Sequence, residues 1–249
     1  MRILILNPNT TAAVTRLMVE AGQAVAAVGT ELVPMTAPRG FPYISTRTEA
    51  QIGGALALEM LADAHRSVDG AILAAFGDPG LAGARELFDI PVVGVSEAAM
   101  LTACMLGQRF VIVTFARALS GWYRDCVEMH GLESRCAGIF ALDKAFSSIE
   151  EVQNENLDPL VGLANQAVEE MGADVMIFAG APLAGLANKV RHRIPVPIVD
   201  PVAAAVKQAE ALIALRPQKA VAGSSQRPLA KPSIGLPASL ANRIMRTDL

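Results

Sequence analysis

Two stretches of the chain repeat one plan: residues 71–100 read AILAAFGDPGLAGARELFDIPVVGVSEAAM, and residues 175–206 read VMIFAGAPLAGLANKVRHRIPVPIVDPVAAAV. Each contains, in the same order, an apolar strand, a Gly/Pro turn, a short helix, an Ile-Pro-Val strand and an Ala-rich helix. Single βαβ units often resemble one another, but five elements in the same order favour a duplication over a chance resemblance. The spacing of the two stretches is that of a whole domain, not of the short repeats of a solenoid. We therefore expect two similar halves related by a pseudo-dyad.

Short apolar runs alternate with longer segments of helical periodicity along the rest of the chain. The runs span residues 3–6, 71–75, 92–95, 110–114, 175–178 and 196–199, and the helix-like segments include residues 11–27 and 48–66. Continuous apolar runs of this length are typical of parallel strands buried on both faces, and the segments between them are long enough for helical crossovers. The predicted fold class is α/β, with Rossmann-like parallel sheets.

Composition excludes several classes of protein. The chain has 249 residues, of which 52% are hydrophobic and 18% charged, so it is expected to fold around its own core. A net charge of −3 offers little attraction for nucleic acid. The three cysteines form no CxxC pair and are odd in number, which favours a reduced, cytoplasmic setting and gives no support for zinc. The longest apolar stretch, residues 175–187, is too short for a membrane span and contains Pro182.

Two turns that follow predicted strands carry the polar groups best placed for ligand binding. Asn7-Pro8-Asn9-Thr10-Thr11 precedes a helix and brings side-chain amides and hydroxyls to the carboxyl end of a parallel sheet, although such residues also cap helices. In Phe76-Gly77-Asp78-Pro79-Gly80 the glycines let backbone approach a ligand, and Asp78 is expected to cap the following helix. Ligands bind at this edge of open α/β sheets, so both turns are candidate sites. No Lys follows the glycines, which disfavours a nucleotide triphosphate.

These motifs resemble the aspartate/glutamate/hydantoin racemase superfamily, most closely its hydantoin and allantoin racemase branch. The resemblance covers nearly the whole chain and rests on residues 7–10, 76–81, 94–98, 184–187 and 197–200. It implies two α/β lobes with the substrate between them, the second lobe inserted in the first, and neither a metal nor an organic cofactor. We expect residues 1–98 with 201–249 to form the first lobe and a C-terminal extension, and residues 99–200 to form the second.

The resemblance fails at the two positions that matter most for racemisation. The family places a thiol on each face of the substrate's α-carbon, one to remove a proton and one to deliver a proton. At those positions this chain has Ala75 and Gly180, which carry no proton-transfer group. Cysteines elsewhere, at 104, 126 and 136, are interpreted as buried structural thiols, His130 as structural, and His65 and His192 as solvated. The two-thiol mechanism therefore does not carry over.

The remaining candidates for acid/base work are Tyr43, Glu49 and Asp78, each a weak substitute for a thiol. Family placement implies a substrate site that includes Asn7, Asn9, Thr10, Ile44, Ala75, Phe76, Gly77, Ser96, Thr114, Phe115, Gly180 and Ala181. Within it we expect Asn7, Asn9 and Thr10 to be polar anchors, and backbone amides near residues 76–77 and 180–181 to bind a carbonyl oxygen and stabilise an enolate.

Three functions stay open at this stage. The leading hypothesis is a hydantoin racemase-like enzyme, formally a cofactor-independent isomerase, that acts on a hydantoin-like or related carboxylate/amide substrate by cysteine-independent chemistry. The alternatives are a non-catalytic ligand-binding or regulatory pseudoenzyme, and a decarboxylase or lyase of the same superfamily. The expected partner is a small molecule, not nucleic acid or membrane, and the Ala-rich helices are compatible with a homo-oligomer.

Overall fold

The computed structural model describes residues 1–144 and 146–248, which form eight strands and nine α-helices. The strands are β1 (Arg2–Asn7), β2 (Glu31–Thr36), β3 (Gly70–Leu73), β4 (Val92–Gly94), β5 (Phe110–Thr114), β6 (Cys136–Ala141), β7 (Val175–Ala179) and β8 (Ile198–Val199). The helices are α1 (Ala12–Gln23), α2 (Arg47–Ala64), α3 (Leu81–Leu87), α4 (Val95–Leu106), α5 (Ser120–Met129), α6 (Val152–Met171), α7 (Leu186–Val190), α8 (Pro201–Leu215) and α9 (Ala238–Met245).

The strands form two four-stranded sheets with the same order, β2-β1-β3-β4 and β6-β5-β7-β8, and every pair is parallel. This confirms the α/β prediction and the predicted strands, all six of which occur with small shifts of their ends. The prediction lacked the edge strands β2 and β6. Their sequences give weaker signals, because β2 contains Pro34, which only an edge strand tolerates, and β6 is mostly half-buried.

Alternate residues of β1 contribute to two different core clusters. Ile3 and Ile5 pack with residues of α1 and α8, while Leu4 and Leu6 pack with residues of α2 and α3. The first cluster continues through the second sheet, for example at Ile112, so the two sheets share one apolar core. Burial on both faces explains why the strand sequences are continuous apolar runs rather than alternating ones.

The predicted lobe boundaries fall at a helix that joins the two sheets and at a helix that returns to the first sheet. Residue 98 lies inside α4, which connects β4 to β5, and residue 201 is the first residue of α8. Helix α8 contacts β3 and β4 of the first sheet, and it also packs along α4. The division into lobes at residues 98 and 201 stays a prediction.

The C-terminal extension ends in a packed helix. Leu240 of α9 is buried against the α2 side of the first sheet, and the buried Arg243 pairs with Asp89 and Asp248. Asp248 also lies 3.7 Å from Nε2 of His65, whose side chain is only 10% exposed, so the expectation of a solvated His65 is wrong. Among the described residues, no helix is both long and apolar enough to cross a bilayer.

Candidate active site

A cleft lies where loops after the carboxyl ends of β1, β3, β5 and β7 meet. Its lining comprises Asn9, Val14, Tyr43, Ile44, Ala75, Phe76, Phe115, Trp122, Tyr123, Ile149, Gly180, Ala181 and Pro182. Ala75 and Gly180 both line this cleft, each just beyond the end of a parallel strand. The free space in the cleft is about 20 Å³, which is room for about one water molecule, so a larger ligand requires side chains to move.

The polar loop after β1 is organised by Asn7, which is fully buried. Its Nδ2 donates to Oδ1 of Asn9 at 3.0 Å and to Oγ1 of Thr15 at 2.9 Å, and its Oδ1 accepts from the Asn9 amide at 3.1 Å. Oδ1 of Asn9 also accepts from the Thr11 amide at 3.0 Å. Asn7 therefore positions the loop, and Asn9 is the residue of this pair that reaches the cleft.

The same loop holds the segment that contains Tyr43 and Ile44. The Thr10 amide donates to the Phe41 carbonyl at 2.9 Å, and Oγ1 of Thr11 donates to the Pro42 carbonyl at 2.6 Å. These bonds fix residues 41–42 directly before the two cleft residues. Thr10 is thus part of the loop's support and does not itself line the cleft.

The Gly-rich turn after β3 caps a different helix from the one predicted. The φ angles of Gly77 and Asp78 are +111° and +47°, so the chain passes through left-handed conformations there. The Asp78 carboxylate accepts from the amides of Ser96 and Glu97, each at 2.9 Å, and therefore caps α4 rather than the following α3. Asp78 is held as a helix cap outside the cleft lining, which is why it is not placed for proton transfer there.

Several residues predicted to contact substrate are instead buried supports. Ser96 is fully buried, and its Oγ accepts a hydrogen bond from the Gly77 amide, so that amide is not available to a ligand. Thr114 is fully buried at the end of β5. The predicted residues that do not line the cleft are Asn7, Thr10, Gly77, Ser96 and Thr114, together with the acid/base candidates Glu49 and Asp78.

Gly180 occupies a position that is closed to side chains. Its φ is +119°, and a Cβ added there would lie 2.7 Å from Cε1 of Phe115. Both features oppose any larger residue, since L side chains rarely adopt this φ and the Phe115 ring already fills the space. The conformation and packing around this position are therefore those that glycine requires.

Unpaired backbone amides are the main polar feature of the cleft. Among the described residues, the amides of Ala75, Phe76, Gly180 and Ala181 have no acceptor, in contrast to Gly77. Buried backbone N–H groups are nearly always paired, with protein, water or ligand. Amides on the loops after β3 and β7 can thus donate hydrogen bonds to oxygen atoms of a bound molecule at two places.

The groups that could move a proton in the cleft are phenols. Of the described residues in its lining, Tyr43 and Tyr123 alone have ionisable side chains, and burial raises the pKa of Tyr123 above its usual range.

Glu49 belongs to a capping box, where its carboxylate accepts from the amides of Ser45 and Thr46 at 2.7 and 3.0 Å. Burial opposes the charge of Glu49, but these hydrogen bonds outweigh it and lower the pKa of the carboxyl. The described lining residues therefore carry phenol hydroxyls but no carboxylate, imidazole, amine or thiol.

Sequence reasoning missed the residues that close the cleft from the second half of the chain. Trp122 and Tyr123 come from α5, and Ile149 from the segment before α6. The ring of Tyr123 lies 4.7 Å from that of Phe76, between centroids, so this wall is aromatic. The sequence feature that could have indicated them is the Trp-Tyr pair at the start of the helix that follows β5. This helix has the same position after β5 that α1 has after β1.

Comparison with known proteins gives concordant results. A family model for Asp/Glu/hydantoin racemases matches residues 3–209. The hydantoin racemase of Paenarthrobacter aurescens is 34% identical over 233 residues, which cover 93% of this chain and 99% of that protein. The structure of an allantoin racemase from Klebsiella pneumoniae superimposes with a TM-score of 0.91 at 34% identity, covering 96% of this chain and 98% of that one. An allantoin racemase from Pseudomonas fluorescens gives a TM-score of 0.88 at 32% identity, covering 94% and 100%.

Proposed function

The chain belongs to the Asp/Glu/hydantoin racemase family, and from that premise we propose that its cleft takes a hydantoin-like or related carboxylate/amide substrate. The main support for this proposal is a set of backbone amides that have no acceptor among the described residues, those of Ala75, Phe76, Gly180 and Ala181. Carbonyl and carboxylate oxygens are the natural acceptors for such donors, and two loops of donors suit a molecule with oxygens at both ends.

The chemistry on this substrate does not use thiols. Amides placed at a carbonyl oxygen stabilise the negative charge of an enolate, and the hydroxyl of Tyr43 in the cleft lining can donate a proton. A lining with phenol hydroxyls but no carboxylate, imidazole, amine or thiol suits a reaction in which the enolate forms by bond cleavage, as in a decarboxylase or lyase. In a decarboxylation the C–C bond breaks, carbon dioxide leaves, and the electron pair of the bond stays on the substrate as an enolate. The Tyr43 hydroxyl then gives its proton to the α-carbon to form the new C–H bond, and the phenolate regains a proton from water.

A paired binding and turnover experiment tests this proposal. Thermal shifts with hydantoins, allantoin, amino acids and dicarboxylates identify a ligand, and mass spectrometry of the incubated mixture identifies a product. Asn9→Asp keeps the Oδ1 acceptor that the loop needs but removes the Nδ2 donor, so it should reduce the ligand-induced shift. Exposed Asn188, whose Oδ1 accepts from Arg191, gives the matched control Asn188→Asp, which should leave the shift unchanged.

Tyr43→Phe separates binding from chemistry in the same experiment. Loss of the proton donor should lower turnover about 10²-fold or more while the ligand still binds. Equal turnover by Tyr43→Phe and the parent would contradict the assigned role of Tyr43. Absence of a thermal shift with every one of these compound classes would contradict the proposed substrate class.

Ligand binding without turnover is a second candidate, and a specific observation favours it. Among the described lining residues there is no carboxylate, imidazole, amine or thiol, and the aromatic side chains leave little free space. A regulatory pseudoenzyme needs only the amide donors and a side chain that moves when the ligand enters. A compound that shifts the melting temperature but is recovered unchanged after prolonged incubation identifies this function.

A further inference from the structure

Asp78, Cys126 and His130 come together outside the cleft, next to the turn after β3. One ligand atom of each lies within 4.8 Å of the others, and no second group of three His, Cys, Asp or Glu side chains this close occurs within residues 1–144 and 146–248. Cys126 and His130 are four residues apart along α5 and its C-terminal end, so they project from the same face. Asp78 and Cys126 are buried, and His130 is nearly so.

The distances in this cluster fit a tetrahedral metal ion. Nε2 of His130 lies 3.3 Å from Oδ2 of Asp78, and ligands at Zn²⁺–N and Zn²⁺–O distances of about 2.0–2.1 Å in a tetrahedron are about 3.3 Å apart. Nε2 is buried and has no hydrogen-bond partner among the described residues, even though this carboxylate is adjacent. The sulfur of Cys126 lies within 4.8 Å of the other two ligand atoms and completes the set after a small side-chain movement.

A second layer of groups surrounds His130 and Asp78. Nδ1 of His130 lies 3.6 Å from Oε1 of Glu97, and both carboxylate oxygens of Glu97 bond the Arg85 guanidinium. A carboxylate on the far nitrogen of a metal-binding His fixes its ring and tautomer. The Asp78 carboxylate is oriented by the Ser96 and Glu97 amides, and each of its oxygens retains a lone pair.

We propose that Asp78, Cys126 and His130 form a binding site for a zinc ion. A thiolate, an imidazole and a carboxylate match the ligand preference of Zn²⁺, and the thiolate and carboxylate together neutralise its charge. Asp78 and Cys126 also line a cavity of about 490 Å³, from which water supplies the fourth ligand. The bound ion ties α5, which carries Trp122, to the turn of residues 76–80. Asp78 is far in sequence from Cys126 and His130, and the site uses a single cysteine, which explains why the absence of CxxC spacing was uninformative.

Cobalt(II) titration of the metal-free protein tests the site directly. Co²⁺ substitutes for Zn²⁺, and its thiolate ligand produces a sulfur-to-metal charge-transfer band in the near ultraviolet. We expect the band to saturate at one equivalent and to disappear when Zn²⁺ is added. Cys126→Ser should abolish the band, whereas Cys136→Ser, which alters the half-buried thiol bonded to the Gly138 carbonyl, should retain it.

The competing structure is a metal-free contact of His130 with the carboxylates of Asp78 and Glu97. It predicts no charge-transfer band in the parent protein, and that result overturns the proposal. A band that survives in Cys126→Ser also overturns it, because the thiolate is then elsewhere. If circular dichroism shows that Cys126→Ser is unfolded, His130→Gln decides: Co²⁺ affinity should fall at least about 10-fold, and an unchanged affinity contradicts the site.

Discussion

Gly180 carries two independent constraints, a φ of +119° and a phenyl carbon 2.7 Å from the place of its missing Cβ. Gly180→Ala should therefore lower the free energy of unfolding by about 2–4 kcal/mol, from backbone strain and overpacking together. Chemical denaturation at equilibrium measures the loss. The reduction should be smaller in the Phe115→Leu background, because a smaller side chain removes the clash but leaves the strain.

Gly162 provides the matched control for that substitution. It is exposed in α6, has an ordinary φ, and a Cβ there would meet no atom within 4 Å. Gly162→Ala should stabilise the protein by about 0.5–1 kcal/mol, because alanine has the higher helix propensity. Equal effects of the two substitutions would show that position 180 tolerates a side chain, and the explanation for its glycine would be wrong.

At the scale of single elements, the start of α2 is fixed by a carboxylate. Glu49 is held in its charged form by Ser45 and Thr46, and its folded pKa lies below the usual value. A lowered folded pKa adds stability above the unfolded pKa of about 4.3, and this stability is lost as the pH falls through the folded value. Glu49→Gln should cost about 0.5–1 kcal/mol at pH 7, and the difference from the parent should become smaller as the pH falls below the unfolded pKa.

Thermal unfolding from neutral to acid pH measures this difference. The control is Glu133→Gln, at an exposed position where no side-chain hydrogen bond is formed with the described residues; its effect should stay within about 0.5 kcal/mol throughout. A Glu49→Gln difference that is the same at pH 3 and pH 7 would contradict the capping explanation.

Elements were predictable from sequence where the signal was local. The apolar runs identified the six buried strands, and Thr46 with Glu49 has the spacing of a capping box. The cap of α4 was not predictable, because Asp78 reaches Ser96 and Glu97 across the sheet rather than along the chain. The same holds for the α5 aromatic residues of the cleft and for the Cys126 and His130 cluster, whose neighbours are set by tertiary packing.

At the scale of the whole molecule, the two halves have the same sheet order and bring equivalent loops to one cleft. Family membership and the loop positions were readable from motifs spread over the chain. The size of the cleft was not, because it depends on how the side chains of Tyr43, Phe115 and Trp122 pack between the halves. The free space of about 20 Å³ means that a ligand larger than a water molecule can enter only if side chains move.

The absence of a base from this cleft leads to a prediction about racemisation. Inversion at an α-carbon requires one group to remove the proton and a second to deliver one to the opposite face. The described lining residues include no carboxylate, imidazole, amine or thiol, and Ala75 and Gly180 occupy the positions where the family resemblance places the two thiols. The protein should therefore neither racemise 5-monosubstituted hydantoins nor catalyse α-deuterium incorporation in deuterium oxide. Chiral chromatography and mass spectrometry measure both.

The substitution Ala75→Cys should introduce proton exchange that the parent protein lacks. A thiol at Ala75, on the loop after β3, can serve only one face of the α-carbon, so it should incorporate deuterium about 10²-fold above background with retention of configuration. Gly180→Cys alone should add no exchange, because φ and the Phe115 ring keep a side chain out of place. Racemisation by Ala75→Cys would mean that a second group, most directly Tyr43, delivers a proton to the opposite face. Rapid inversion by the unmodified protein would show that the cleft contains a base after all, and the assignment of Glu49 and Asp78 as helix caps outside the reaction would fail with it.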